Sequence, residues 1–264
     1  MAISYRHLIF TLLVSSIGLA HLKADLVPPA PKQIEVQFTV FGTHAYQGFS
    51  YVMGTAPKPN PVRFYSVTLS SVYKYKGDQE IKFYDETQLA AALDDMAAQK
   101  RANPSGPEPE LKIKPVATCS IPDGMKKAVL LFFPRKTASA DGIQCDVFAL
   151  DMGVTSIPAG SMVIINASGR EFFGQVNDKI VKIEQGVSPA YKAERGKIMV
   201  KMARMEPEYQ NVVCGDKWSL AKNQRRLWIL FPYSNSKDAL PDARCLMEQV
   251  PVEDQGVQTA SINN

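Results

Sequence analysis

Histidine is scarce in this chain, three in 264 residues. His7 and His21 fall in an N-terminal stretch with the marks of an export signal, so the mature chain is expected to keep His44 alone. Any Ser-His-Asp or Cys-His centre would have to be built on His44, which follows a strand-like run in Phe41-Gly-Thr-His-Ala and reads as a surface histidine. There is no Gly-x-Ser-x-Gly, which argues against a serine hydrolase, and no Cys-x-x-Cys, which argues against a dithiol redox centre. Nor is there an excess of either charge. Removing Arg6 and Lys23 with the signal leaves 28 basic residues against 26 acidic ones, without the basic stripe a nucleic-acid binder needs. The one dense basic pair in a strand context, Arg225 and Arg226, reads as a solvated strand end.

Long apolar runs are equally absent, with one exception. Arg6 and His7 precede a 13-residue apolar run from Leu8 to Ala20, and small residues at Ala20 and Ala24 suit a signal peptidase. The run is shorter than the ~20 residues a permanent spanning helix requires, so residues 1–24 are expected to be a signal peptide, cut after Ala20 or Ala24. The mature chain is then expected in the periplasm or the extracellular space, with no integral membrane segment. Pro28, Pro29 and Pro31 make residues 25–33 an extended lead-in, and residues 251–264 lack any apolar pattern and read as a disordered tail.

What remains is a succession of strand signals. Ile34, Val36, Phe38 and Val40 alternate with Glu35, Gln37 and Thr39, the period of a half-buried strand. Strands are also expected over Val62 to Leu69, Val72 to Tyr75, Glu80 to Tyr84, Val116 to Ile121, Ala128 to Phe133, Gln144 to Leu150 and Met162 to Asn166. A second series runs through Ile180 to Ile183, Lys197 to Ala203, Gln210 to Cys214, Leu227 to Phe231 and Cys245 to Glu248. Val129 to Phe133 is apolar at every position and should be buried on both faces. One helix interrupts the strands near residues 86–102, capped by Asp85 with Gln88 at the third position and striped by Leu89, Leu93, Met96 and Lys100.

The chain also resembles itself. The run Cys119 to Phe132 lies against Trp218 to Phe231 at an offset of 99, with a serine, two cations and an apolar strand coinciding, and a proline follows each at Pro134 and Pro232. A spacing near one hundred residues matches a β-sandwich domain. The expectation is therefore an all-β protein of two tandem immunoglobulin-like β-sandwich domains, 34–157 and 158–250, with the helix inserted in the first. Four cysteines in an exported chain predict two disulfides in one of three connectivities. The repeat favours Cys119 with Cys145 and Cys214 with Cys245, structural rather than redox bridges.

The strand Ala128 to Pro134, the strand end Phe148-Ala-Leu-Asp151, the turn Ile157-Pro-Ala-Gly160 and the run Val163-Ile-Ile-Asn-Ala-Ser168 resemble a loosely defined group of uncharacterised exported bacterial proteins made of tandem β-sandwich domains. The similarity covers roughly residues 114–248. It implies the sandwich fold and no activity, since the group has no catalytic residues to carry over, and the four cysteines depart from its pattern.

No set of residues stands out as a catalytic centre. Asp94 and Asp95 lie on the polar side of the helix, and Asp146 and Asp151 have odd separation and point to opposite faces of one strand. Met199, Met202 and Met205 have a spacing that thioether ligands of Cu(I) could use, but steps of three alternate faces on a strand, so no metal site is expected. Trp218 and Tyr233, at strand ends, are the candidates for a flat binding platform, whereas Trp228 belongs to a buried strand. No cofactor is implied. The expectation is a non-catalytic exported binding or scaffolding protein of the cell envelope or extracellular space, whose partner is a protein or an envelope polymer and not nucleic acid. The alternative is a carboxylate-dependent hydrolase or a glycan-binding protein acting on an extracellular polymer.

Overall fold

The computed structural model describes residues 32–42, 48–54, 58–204, 212–231 and 242–251. The expected signal and nearly all of the lead-in and the tail lie outside them. The described residues are mostly strand, with one helix, and no helix among them is long and apolar enough to cross a membrane.

Strands β1 (Gln33–Gly42), β2 (Phe49–Tyr51), β3 (Asn60–Val62), β4 (Tyr73–Asp78), β5 (Glu80–Asp85), β6 (Ala117–Ser120), β7 (Lys127–Pro134) and β8 (Cys145–Asp151) make two four-stranded sheets. The first inner sheet has the order β4-β1-β7-β8 and the first outer sheet β3-β2-β5-β6. Helix α1 (Glu86–Ala102) joins β5 to β6; the Asp85 carboxylate accepts from Gln88 N at 2.9 Å and so caps it. Of its stripe only Leu89 is fully buried.

The remaining strands are β9 (Ser161–Asn166), β10 (Phe172–Val176), β11 (Lys179–Ile183), β12 (Gly186–Val187), β13 (Tyr191–Lys192), β14 (Lys197–Arg204), β15 (Val212–Ser219), β16 (Gln224–Leu230) and β17 (Ala243–Gln249). The second inner sheet has the order β12-β9-β16-β17, with β13 also on β9, and the second outer sheet β11-β10-β14-β15. The two sets have one topology. In each inner sheet a parallel central pair, β1 with β7 or β9 with β16, is flanked by antiparallel neighbours.

Three apolar cores separate the four sheets. The first, between the first outer and inner sheets, is rich in aromatic rings: Phe132 meets Phe64 at 4.8 Å and Phe83 at 5.2 Å, both edge to face. The second lies between the inner sheets and takes Val129 and Leu131 from β7 and Leu227 and Ile229 from β16. The third, between the second inner and outer sheets, holds Ile164, Val200, Trp228 and Leu230. This layering explains the continuous apolar runs, because β7 and β16 are covered on both faces.

A serine clip fixes the equivalence of the halves. Ser70 N donates to Val40 O and Ser70 Oγ accepts from Val40 N; Ser188 does the same to Ile164. Val40 and Ile164 are therefore counterparts, and their parallel partners are Leu130 and Trp228. Between β7 and β16 the offset is therefore 98. The offset of 99 holds one turn earlier, where Ile121 N donates to Gln79 O and Leu220 N to Gly196 O, each closing the end of the preceding strand pair. Carried into β7 and β16, 99 would lay Val129, which faces the middle core, on Trp228, which faces the outer one.

The strand expectations change at several places. Residues 63–69 are not strand but part of the passage from β3 in the outer sheet to β4 in the inner one, pinned by the Ser70 clip. Strands β2, β10, β12 and β13 appear where the sequence signals none. In β10, Gly174 is crowded: a Cβ there would stand 2.9 Å from the Lys201 carbonyl.

Candidate functional site: a polar cleft between the inner sheets

Strand alternation assigns Gln37 and Thr39 on β1, Lys127 on β7, Arg225 on β16 and Glu248 on β17 to the same faces as Phe41, Val129, Leu131, Leu227, Ile229 and Leu246. The latter six fill the middle core. The former five are polar, and they sit where the chain enters β7 and β16. At that end the inner sheets enclose a cleft of about 350 Å³ instead of packed apolar side chains. Leu69 and Met152 form the boundary, lining the cleft while packing on the core behind it. Thr68, Val72, Met247, Gln249 and Pro251 complete its rim, with Val72 61% and Met247 48% exposed.

Arg225 is the chemical centre of this wall. Its side chain is only 1% exposed, yet its Nε donates to Glu248 Oε2 at 2.6 Å and its Nη1 to the Ile157 carbonyl at 2.9 Å. Register explains the first bond, since Arg225 stands directly opposite Glu248 on the neighbouring strand. The second ties β16 to the segment that connects the two sets of strands. The arginine is thus neutralised in place and geometrically fixed. Lys127, its counterpart at the 98-residue offset, also lines the cleft.

The expectation that Arg225 and Arg226 form a solvated strand end is corrected here for Arg225. Adjacent strand positions face opposite ways, so Arg226 leaves the cleft for the other side, where its Nη1 donates to Cys245 Sγ at 3.6 Å and its Nη2 to the Ser219 carbonyl at 3.2 Å. No spacing rule marks Arg225 in the sequence, because the carboxylate that permits its burial lies 23 residues later on another strand.

The platform residues are only partly described. Trp218 is half-buried and leans on Trp228, 5.8 Å between ring centroids at 59°, against the third core. Tyr233 lies outside the described residues.

The disulfides require correction. Cys119 and Cys145 are both 2% exposed and belong to the same apolar core, but no disulfide joins them, and Cys245 forms none either. Each sulfur is used as core volume rather than as a bridge. The Cys119 thiol points to the Ser120 carbonyl at 3.9 Å, and burial pushes it up to about 12, which keeps it protonated. Cys214 lies in β15, its side chain outside the described part.

The acids singled out by sequence are committed elsewhere. Asp94 and Asp95 are exposed on α1, and Asp146 is bound by the Arg135 guanidinium. Asp151 accepts from Gly153 N and Ser156 Oγ, shaping the connection to the second set of strands. Met202 is in the third core whereas Met199, three residues before it on the same strand, faces the other way; Met205 and His44 lie outside the described residues. Among the described residues no three His, Cys, Asp or Glu side chains gather as a metal site would require.

The sequence matches no protein-family model and no curated protein.

Proposed function

We propose that the chain is an exported, non-catalytic binding or scaffolding protein of the cell envelope or extracellular space, built from two tandem immunoglobulin-like sandwiches with α1 inserted in the β5–β6 connection of the first. The observation that carries the binding reading is the interlayer cleft, where five polar side chains take positions that alternation reserves for a core. Local rules are broken in this way where a protein gives up packing for contact with something else. The export reading rests on the signal-like N-terminus, and the affinity with exported tandem-sandwich proteins on the strand and turn motifs that resemble theirs.

The carboxylate-dependent hydrolase draws less support. Among the described residues Glu248 is the one acid on the cleft wall, and Arg225 holds it. Paired-carboxylate hydrolysis needs two acids roughly 5 to 10 Å apart across a substrate. A glycan platform built on Trp218 competes with the packing of that ring on Trp228.

The test is an affinity pull-down from native envelope and culture medium with the tagged mature chain, run beside a glycan array. Enrichment of a defined partner, lost when the cleft is blocked by Thr68→Arg, is the expected result. Absence of enrichment on both would overturn the binding reading.

A further inference from the structure

We infer that the interlayer cleft takes a short extended peptide segment bearing an uncharged aliphatic side chain. This rests on the binding reading above and names the class of ligand for that site.

The argument is from the chemistry of the walls. Leu69, Val72 and Met152 supply aliphatic and thioether surface, and methionine adapts its shape to the chain it meets. Gln37 carries an amide donor and acceptor, and Thr39 and Thr68 each carry a hydroxyl that both donates and accepts. Groups that donate and accept within one side chain complement the alternating N–H and C=O of a peptide backbone. A volume of about 350 Å³ is at the lower end for ligand pockets and suits a side chain with its flanking backbone.

Other ligand classes fit less well. A sugar ring is commonly held by an exposed aromatic face. Among the described residues the one aromatic lining the cleft is Phe38, 1% exposed and packed in the first core against Tyr51 and Phe83. A strongly acidic ligand would meet two cations, but the Arg225 Nε and Nη1 are spent on Glu248 and Ile157, and Lys127 has a partner of its own. A strongly basic ligand would have to draw Glu248 away from Arg225, which would leave that cation buried and unpaired.

The experiment uses the mature chain labelled with 13C at its methionine methyls. Met152 reports on the cleft, and Met202 in the third core reports on the fold. The probes are the capped peptides Ac-Ala-Leu-Thr-Ala-NH2 and Ac-Ala-Asp-Thr-Ala-NH2, and chitotetraose. The leucine peptide is expected to shift the Met152 signal saturably while Met202 stays still, with affinity about tenfold or more above that of the aspartate peptide. Thr68→Arg, at an exposed position on the rim, should weaken the leucine peptide by a similar factor with the Met202 signal unchanged. Should that variant fail to fold, Val72→Lys, at a rim position that is 61% exposed, serves in its place. No shift at millimolar leucine peptide, equal binding of the aspartate peptide, or binding indifferent to both substitutions would overturn the inference. Shifts with chitotetraose alone would discard the peptide and leave the binding reading standing, whereas silence from every probe together with an empty pull-down would remove both.

Discussion

Arg225 Nε and Glu248 Oε2 stand 2.6 Å apart across β16 and β17, and the arginine side chain is all but sealed from water. Removing one member of a buried pair strands the other, at a cost of roughly 3–5 kcal/mol, whereas removing both is far cheaper. Glu248 keeps some exposure, which puts the loss at the lower end. Arg225→Met should lower the unfolding free energy by about 3 kcal/mol, and Arg225→Met with Glu248→Leu should recover most of it. Urea denaturation of the three proteins decides the matter. Equal loss in single and double variants would mean that the pair does not hold the wall of the cleft.

The middle core is shared, so damage on one side should be felt on the other. Leu131 is fully buried there with Leu227 and Ile229, and both tryptophans of the chain, Trp218 and Trp228, belong to the second set of strands. Leu131→Ala is expected to cost about 2–5 kcal/mol and to move the midpoint of tryptophan fluorescence with it. A fluorescence transition that stayed in place while circular dichroism shifted would show the two sets of strands unfolding independently.

Raising the pH should loosen the first core. Burial lifts the Tyr51 and Tyr75 phenols from 10.0 to about 12, and the Cys119 thiol from 9.0 to about 12. Each group holds its proton more tightly folded than unfolded. Their contribution is fully present below pH 9 and is lost progressively as the pH climbs from 9 toward 12. Denaturant midpoints measured at pH 8, 10 and 11 should therefore fall steadily beyond what Cys119→Ala, lacking the thiol, displays. A midpoint flat across that range would contradict the burial of these rings.

The thiols make a separate chemical prediction. Cys119 and Cys145 should resist iodoacetamide in the native protein at pH 8 and become labelled in urea without any reductant, because they are buried and not bridged. Peptide mapping that finds either one in a disulfide would refute the assignment.

How far the sequence discloses this molecule depends on the range of the physics involved. Alternation in β1 and unbroken apolarity in β7 are written locally, and the cap of α1 likewise, since Asp85 and Gln88 are neighbours. The repeat is legible too, but its register is not. Serine and turn residues align at 99, and the slip to 98 becomes visible through the hydrogen bonds that Ser70 and Ser188 make to distant strands. Gly174 hides β10 for a related reason: in sequence a glycine reads as a turn, and the Lys201 carbonyl pressing on it comes from β14. The cleft was the least legible feature. Gln37 and Thr39 read as the solvent side of a half-buried strand, because a strand lying between two other sheets has no face that local pattern can call outer.

The parallel pairing at the heart of each inner sheet dictates the order of events in folding. Val40 takes its neighbour from Leu130, ninety residues downstream, and Ile164 takes its own from Trp228, sixty-four downstream. Closing loops of that length is entropically expensive, so the central pair of each inner sheet must wait for its penultimate strand, while the edge pairs β1–β4 and β9–β12 can form earlier. A growing chain of this design can fold its margins first and leaves the seam at the centre of each half to be sewn last.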